Sequence, residues 1–105
     1  VGDAEPFDLD PPALYNTCDP VEAAAAFDRC GPQGAATFGQ PIRVASWATI
    51  PSTFAICEQD RAIVPSLQRH MAEHCGTVVS WDTDHSPFLC RPDLVVDLLA
   101  GIAGA

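Results

Sequence analysis

The chain has 105 residues, 48% of them apolar and 18% charged, the composition of one globular domain at most and not of a disordered chain. Fourteen acidic residues stand against five basic ones, all Arg, and the net charge of −9 argues against nucleic acid or an anionic membrane as a partner, since both need cationic patches. No apolar run is long enough to span a bilayer, no charged-then-apolar signal opens the chain, and a cytoplasmic protein is expected.

Residues 1–18 are acidic and carry Pro6, Pro11 and Pro12, which predicts irregular surface chain. Asp19-Pro20 reads as an N-cap followed by proline at the first helical position. The Ala-rich run from Val21 to Arg29 is a strong helix former, and Gly31-Pro32 ends it. Gln33 to Gln40 is loop-like, and Pro41 to Trp47 reads equally as a short helix or an extended piece. Ile50-Pro51 forces an extended approach to Ser52–Cys57, an apolar and partly β-branched strand expected to be buried on both faces. A polar loop holding Asp60 follows. Pro65 or Ser66 then opens a helix to about Cys75, which Gly76 stops, with Leu67 and Met71 on one face and Cys75 a turn further on. Thr77–Asp82 is a second strand, followed by a polar loop holding His85. Residues 91–103 form the last helix, whose apolar stripe is Leu94, Val95, Leu98, Leu99 and Ile102. The chain thus divides into an irregular and helical segment over 1–47 and a βαβα unit over 48–105.

Two parallel strands joined by a helix make a βαβ unit, and chemistry in such sheets gathers beyond the carboxyl ends of the strands. Asp60 and His85 both lie just past a strand end and so share one rim. An acid and a histidine so placed are two thirds of a nucleophilic triad. Rivals for the acid are Glu58, Asp82 and Asp84, but Asp84 adjoins His85 in the chain, which is poor geometry for meeting its ring. The plain alternative for Asp60 is a loop-capping aspartate.

The five cysteines, Cys18, Cys30, Cys57, Cys75 and Cys90, form no C-x-x-C pair. Their odd number and apolar surroundings predict free thiols in a reducing compartment, without a disulfide framework. Cys75 and Cys90 read as packing residues, and Cys57 lies inside a strand ahead of the acid, the wrong place for a nucleophile. His70 and His74 have a zinc-compatible spacing, but the glutamate of H-E-x-x-H is missing, so they read as a solvated helix face and no metal is expected. Phe88, Leu89 and Trp47 are candidates to line a substrate pocket, with core packing as the alternative.

From Thr53 onward the sequence resembles the C-terminal part of α/β-hydrolases of the small-esterase branch, which includes plant methylesterases and hydroxynitrile lyases. The matching text is Cys57-Glu-Gln-Asp60-Arg-Ala-Ile63, then Gln68-Arg69, Asp84-His85 and Leu89-Cys90-Arg-Pro92. The resemblance implies that Asp60 is the triad acid and His85 the triad base, and that residues 19–47 are part of a cap. It covers about the C-terminal half of such an enzyme, on ordinary domain sizes. The reaction implied is hydrolysis of a small, largely apolar carboxylic ester, with no cofactor. Pro65 stands one place later than the family's usual proline.

The larger departure is the nucleophile. None of Ser46, Ser52, Ser66, Ser80 and Ser86 stands in a G-x-S-x-G elbow, and the oxyanion-hole loop is missing too. The chain begins at Val1 rather than Met, and a processed, trimmed or partial product is expected. The missing N-terminal half would come from a second polypeptide or an unrecorded part, or self-association would cover the open sheet. The chain alone is expected to be inactive. Two alternatives stand beside the esterase: a hydroxynitrile-lyase-like lyase reusing His85 as base, and a non-catalytic binding or interaction module.

Overall fold

A computed structural model describes residues 11–104. Most of the irregular segment predicted at the start of the chain lies outside that range. Its end is helical: Pro11–Tyr15 forms a single-turn helix, α1, with the prolines at its first two positions, where a missing N–H costs nothing. Helix α2 spans Pro20–Asp28, and the Asp19 carboxylate accepts from the backbone N–H of Val21 and Glu22, each at 3.1 Å. Ala35–Phe38 and Ser46–Ala48 are short 3₁₀ turns. The second resolves the open reading of residues 41–47: an irregular stretch followed by a turn.

Strand β1, Thr53–Cys57, pairs in parallel with β2, Thr77–Trp81, in the register Thr53 with Thr77 through Cys57 with Trp81. The crossover is helix α3, Pro65–Ala72. Val64 is held extended by the proline after it, and Pro65 takes the first helical position. The helix stops at Ala72, short of the predicted Cys75. The N–H of Glu73 turns back to His70 and that of His74 to Met71, and Cys75 closes a turn onto Ala72 at 2.9 Å before Gly76. Past β2, the predicted helix over 91–103 is present, and a further short helix, not expected from the sequence, precedes it in the loop after His85. Pro87–Cys90 is α4 and Pro92–Ile102 is α5. Pro92 forces Arg91 out of the helical region, to φ −138° and ψ 62°, and the chain bends there.

The buried apolar core among the described residues is small: Ile56, Cys57 and Ala72. β1 was expected to be buried on both faces, but Thr53, Phe54 and Ala55 are only half-buried. Helix α3 also turns a different face inward than its apolar residues suggest. Leu67 and Met71 are 48% and 41% exposed, while Gln68 and Ala72, four apart on one face, are buried. On α5, Leu94, Val95 and Leu98 are half-buried, whereas Leu99 and Ile102 at the far end of the stripe are exposed. No described helix is long and apolar enough to cross a membrane.

The cysteines depart most from expectation. Cys18 and Cys90, 72 residues apart, are joined by a disulfide, so Cys90 is neither a free thiol nor a mere packing residue. Cys30, Cys57 and Cys75 are free. Spacing alone cannot reveal such a pair, because chain separation says nothing about which loops the fold brings together.

Candidate active site

The loop after β1 forms around its aspartate. Backbone pairing continues beyond the strands: Glu58 N–H donates to Trp81 at 2.9 Å and Gln59 N–H to Thr83 at 2.8 Å. The two loops therefore leave the sheet side by side. The Asp60 N–H closes a turn onto Cys57 at 3.2 Å, and Asp60 Oδ1 accepts from the N–H of Ala62 at 2.8 Å and of Ile63 at 2.9 Å. This is the loop-capping role common for Asp after a strand, but it engages only one carboxylate oxygen.

The other oxygen does a second task. Asp60 Oδ2 meets His85 Nδ1 at 2.9 Å and accepts from Gln68 Nε2 at 3.1 Å. The Asp60 side chain is 4% exposed and the His85 ring 35%. The carboxylate is thus buried with four hydrogen-bond partners, the condition under which a buried charge is tolerated. With Nδ1–H donated to the carboxylate, the lone pair sits on Nε2, which has no hydrogen-bond partner among the described residues. The pair can therefore take up a proton on Nε2, with Asp60 orienting the ring and offsetting the imidazolium charge.

Gln68 locks this arrangement. Its Oε1 accepts from Cys57 N–H at 2.8 Å, and its Nε2 donates to Ile63 O at 2.7 Å, to Cys57 O at 3.2 Å and to Asp60. One amide on α3 thus ties the end of β1, the acid and the exit of the loop together. Sequence reasoning missed this role, since a polar residue on a helix reads as solvent-facing. The available signal was the Ala72 four residues on, small enough to let that face approach the sheet.

The histidine loop is built differently. Asp84 is fully buried, and its Oδ1 accepts from Ser86 N–H at 2.8 Å, closing a tight turn around His85. Its Oδ2 accepts from Thr17 N–H at 3.0 Å, while Asp84 N–H donates to Thr17 Oγ1 at 3.3 Å. Asn16 Nδ2 donates to Gln59 O at 2.8 Å in the acid loop. Residues 16–18 therefore bridge both loops, and the Cys18–Cys90 bond fixes them to α4.

The rival acids are each engaged elsewhere. Glu58 receives both a double hydrogen bond from Arg69 Nη2 and one from Ser80 Oγ; the Ser80 and Arg69 bonds hold its carboxyl below the usual carboxylate range. Asp82 Oδ1 accepts from Gln59 Nε2 at 2.9 Å. Burial pushes the Cys57 thiol up, which disfavours the thiolate a nucleophile needs. Trp47 does not share the rim. It stacks on His74, ring centroids 4.9 Å apart, beyond the end of α3 that leads into the start of β2, the opposite end of the sheet from Asp60 and His85. His70 lies 3.7 Å from Glu73 on the exposed face of the same helix. Phe88, 67% exposed, and Leu89, half-buried, sit on α4 directly after the His85 turn.

The chain as a whole is similar to known proteins. Residues 2–98 match the alpha/beta hydrolase family. The chain is 38% identical over 94 residues to the alpha/beta hydrolase nvfD of Aspergillus novofumigatus, a match covering 87% of this chain and 38% of that protein. The chain therefore spans well under half the length of the curated relative it matches. With the parallel β1–α3–β2 unit and its two loops, this match shows that the chain belongs to the alpha/beta hydrolase family.

Proposed function

We propose that the chain supplies the acid and the base of a Ser-His-Asp triad that hydrolyses a carboxylic ester. The observation that carries this reading is the 2.9 Å contact between buried Asp60 Oδ2 and half-buried His85 Nδ1. In the proposed cycle His85 Nε2 takes the proton of a serine hydroxyl as that oxygen attacks the ester carbonyl. It then returns the proton to the departing alcohol, and repeats both transfers with water to release the acid. Asp60 holds the tautomer and offsets the imidazolium charge. This chemistry requires no metal and no organic cofactor.

The nucleophile and oxyanion hole belong, on this reading, to the rest of the fold, on the same polypeptide or on a second one. None of the chain's serines stands on a G-x-S-x-G elbow. The chain corresponds to 38% of its relative's length. Leu67, Met71 and Val78, exposed around the two-stranded sheet, are where further strands and helices would pack. Phe88 and Leu89 would offer an apolar wall beside the histidine, suited to a small, largely apolar ester.

The test is reconstitution. The chain alone is expected to leave a chromogenic ester intact, and to support turnover once joined to a polypeptide carrying the elbow serine. In that assembly Asp60→Asn is expected to lower kcat about 10⁴-fold. Robust turnover by the chain alone, untouched by Asp60→Ala, would overturn the proposal. Cyanohydrin cleavage without ester hydrolysis would move the assignment to a lyase on the same pair.

A further inference from the structure

We propose that the Cys18–Cys90 bond is a reversible thiol–disulfide exchange site, opened by a small dithiol, whose state sets how firmly residues 16–18 hold the histidine loop. The bond lies against an unusual neighbour. Asp84 is fully buried, and its Oδ2 is 3.4 Å from Cys18 Sγ and 3.2 Å from Cys90 Sγ, with Oδ1 3.5 Å from Cys90 Sγ. While the sulfurs are bonded to each other they carry no proton, and the carboxylate relies on the N–H groups of Thr17 and Ser86. After reduction each thiol has an S–H within reach of that carboxylate. A buried charge gains from every added donor. Asp84 therefore stabilises the dithiol form selectively and makes the bond easier to open than it would be against a neutral neighbour.

Access is provided. Cys18 lines an open cavity of about 480 Å³ between α2 and the acid loop, together with Tyr15, Phe27 and Arg61. A dithiol entering there attacks Cys18 Sγ as its thiolate. The Sγ–Sγ bond breaks, Cys90 leaves as a thiolate and takes a proton from solvent, and a mixed disulfide forms at Cys18. The second thiol of the reagent then displaces Cys18, which is protonated in turn. Two electrons and two protons pass to the protein, and the reagent leaves as its own cyclic disulfide.

Opening the bond removes the one covalent tie between residues 16–18 and α4. The Thr17–Asp84 and Asn16–Gln59 hydrogen bonds remain. The histidine turn, which shares Asp84 with that tie, becomes less constrained, while the acid loop keeps its own bonds to α3. Once reduced, Cys18, Asp84 and Cys90, whose ligand atoms lie within 4.8 Å of one another, are also a donor set for a divalent metal, which would compete with reoxidation.

The experiment equilibrates the purified protein in mixtures of oxidised and reduced dithiothreitol, alkylates free thiols and locates them by mass spectrometry. The expected result is reversible opening of Cys18–Cys90 in the folded chain. Asp84→Asn should shift that equilibrium toward the disulfide by about tenfold, the worth of one lost charge-assisted bond. Amide exchange at Thr17 should accelerate on reduction while that at Cys57 stays unchanged. Should Asp84→Asn fail to fold, Cys90→Ser supplies the second arm, and it should reproduce the Thr17 exchange of the reduced protein. A bond that resists excess dithiol until the chain unfolds, or Thr17 protection equal in both states, would each overturn the proposal.

Discussion

The loop after β1 holds its carboxylate with groups from its own neighbourhood, whereas the loop after β2 depends on a segment 67 residues away. Asp60 is fixed by two backbone N–H groups of its own turn and by an amide on the next helix. His85 is fixed by Asp60 on one side and, through Asp84, by residues 16–18 on the other. The two halves of the pair thus differ in how they are preorganised. The acid is held by β1, its own loop and α3, while the base is held in addition by the segment before α2, which the Cys18–Cys90 bond ties to α4.

That contrast is broken most severely at the acid. Asp60→Ala leaves the half-buried N–H groups of Ala62 and Ile63 without their acceptor and removes one of the three acceptors of the Gln68 amide. A loss of about 3 kcal/mol in folding stability is expected, read by urea unfolding. His85→Ala should cost less than about 1 kcal/mol, because the ring is half-buried and makes one bond. Equal costs for the two variants would show that the acid loop is not the stiffer one.

Gln68→Leu comes next. It keeps the bulk of the side chain but removes the partner of Cys57 N–H and of the Ile63 carbonyl beside the core, while the Cys57 carbonyl keeps the Asp60 N–H, and about 2 kcal/mol is expected from the same measurement. Gln68→Glu should be worse near neutral pH, since it sets a second carboxylate against Asp60 Oδ2. On the histidine side, Thr17→Val removes only the acceptor for Asp84 N–H, at about 1 kcal/mol. Its more telling readout is the ring resonance of His85, which should broaden while those of the Asp60 turn stay sharp.

Local features of this fold could be read from the chain, and non-local ones could not. The Asp19 cap, both strands and the proline-started helices α3 and α5 each carry their signal within a few residues. So did the candidate pair, since an Asp and a His each stood directly past a strand and parallel pairing put them on one rim. The inward face of α3 was not legible in the sequence, because burying the Gln68 amide is made favourable only by its bonds to Cys57, Asp60 and Ile63. Trp47, a candidate for pocket lining or for packing, stacks on His74. The disulfide and the Thr17–Asp84 exchange join positions 72 and 67 residues apart, with no periodicity to announce them.

The smallest expected effect tests whether the outer face of the sheet contributes through charge. Glu58 accepts from Ser80 on β2 and from Arg69 on α3, stitching strand to helix away from the Asp–His pair. Those bonds lower its folded-state value below the ordinary 4.5. A carboxyl with a lowered folded value stabilises the fold above its unfolded value, and that share fades as the pH falls through the lowered one. The difference in urea midpoint between the native chain and Glu58→Gln should therefore be largest above about pH 5 and shrink steadily on acidification. The exposed Asp93–Arg91 pair on α5 titrates in the same direction but is present in both proteins and cancels in the difference. Added salt should shrink the gap at neutral pH as well, because Arg69 is half-exposed and its charge is screened. A gap that persisted unchanged to pH 2 would leave the neutral hydrogen bond to Ser80 as the whole of the contribution, and the outer face would then be held by shape, not charge.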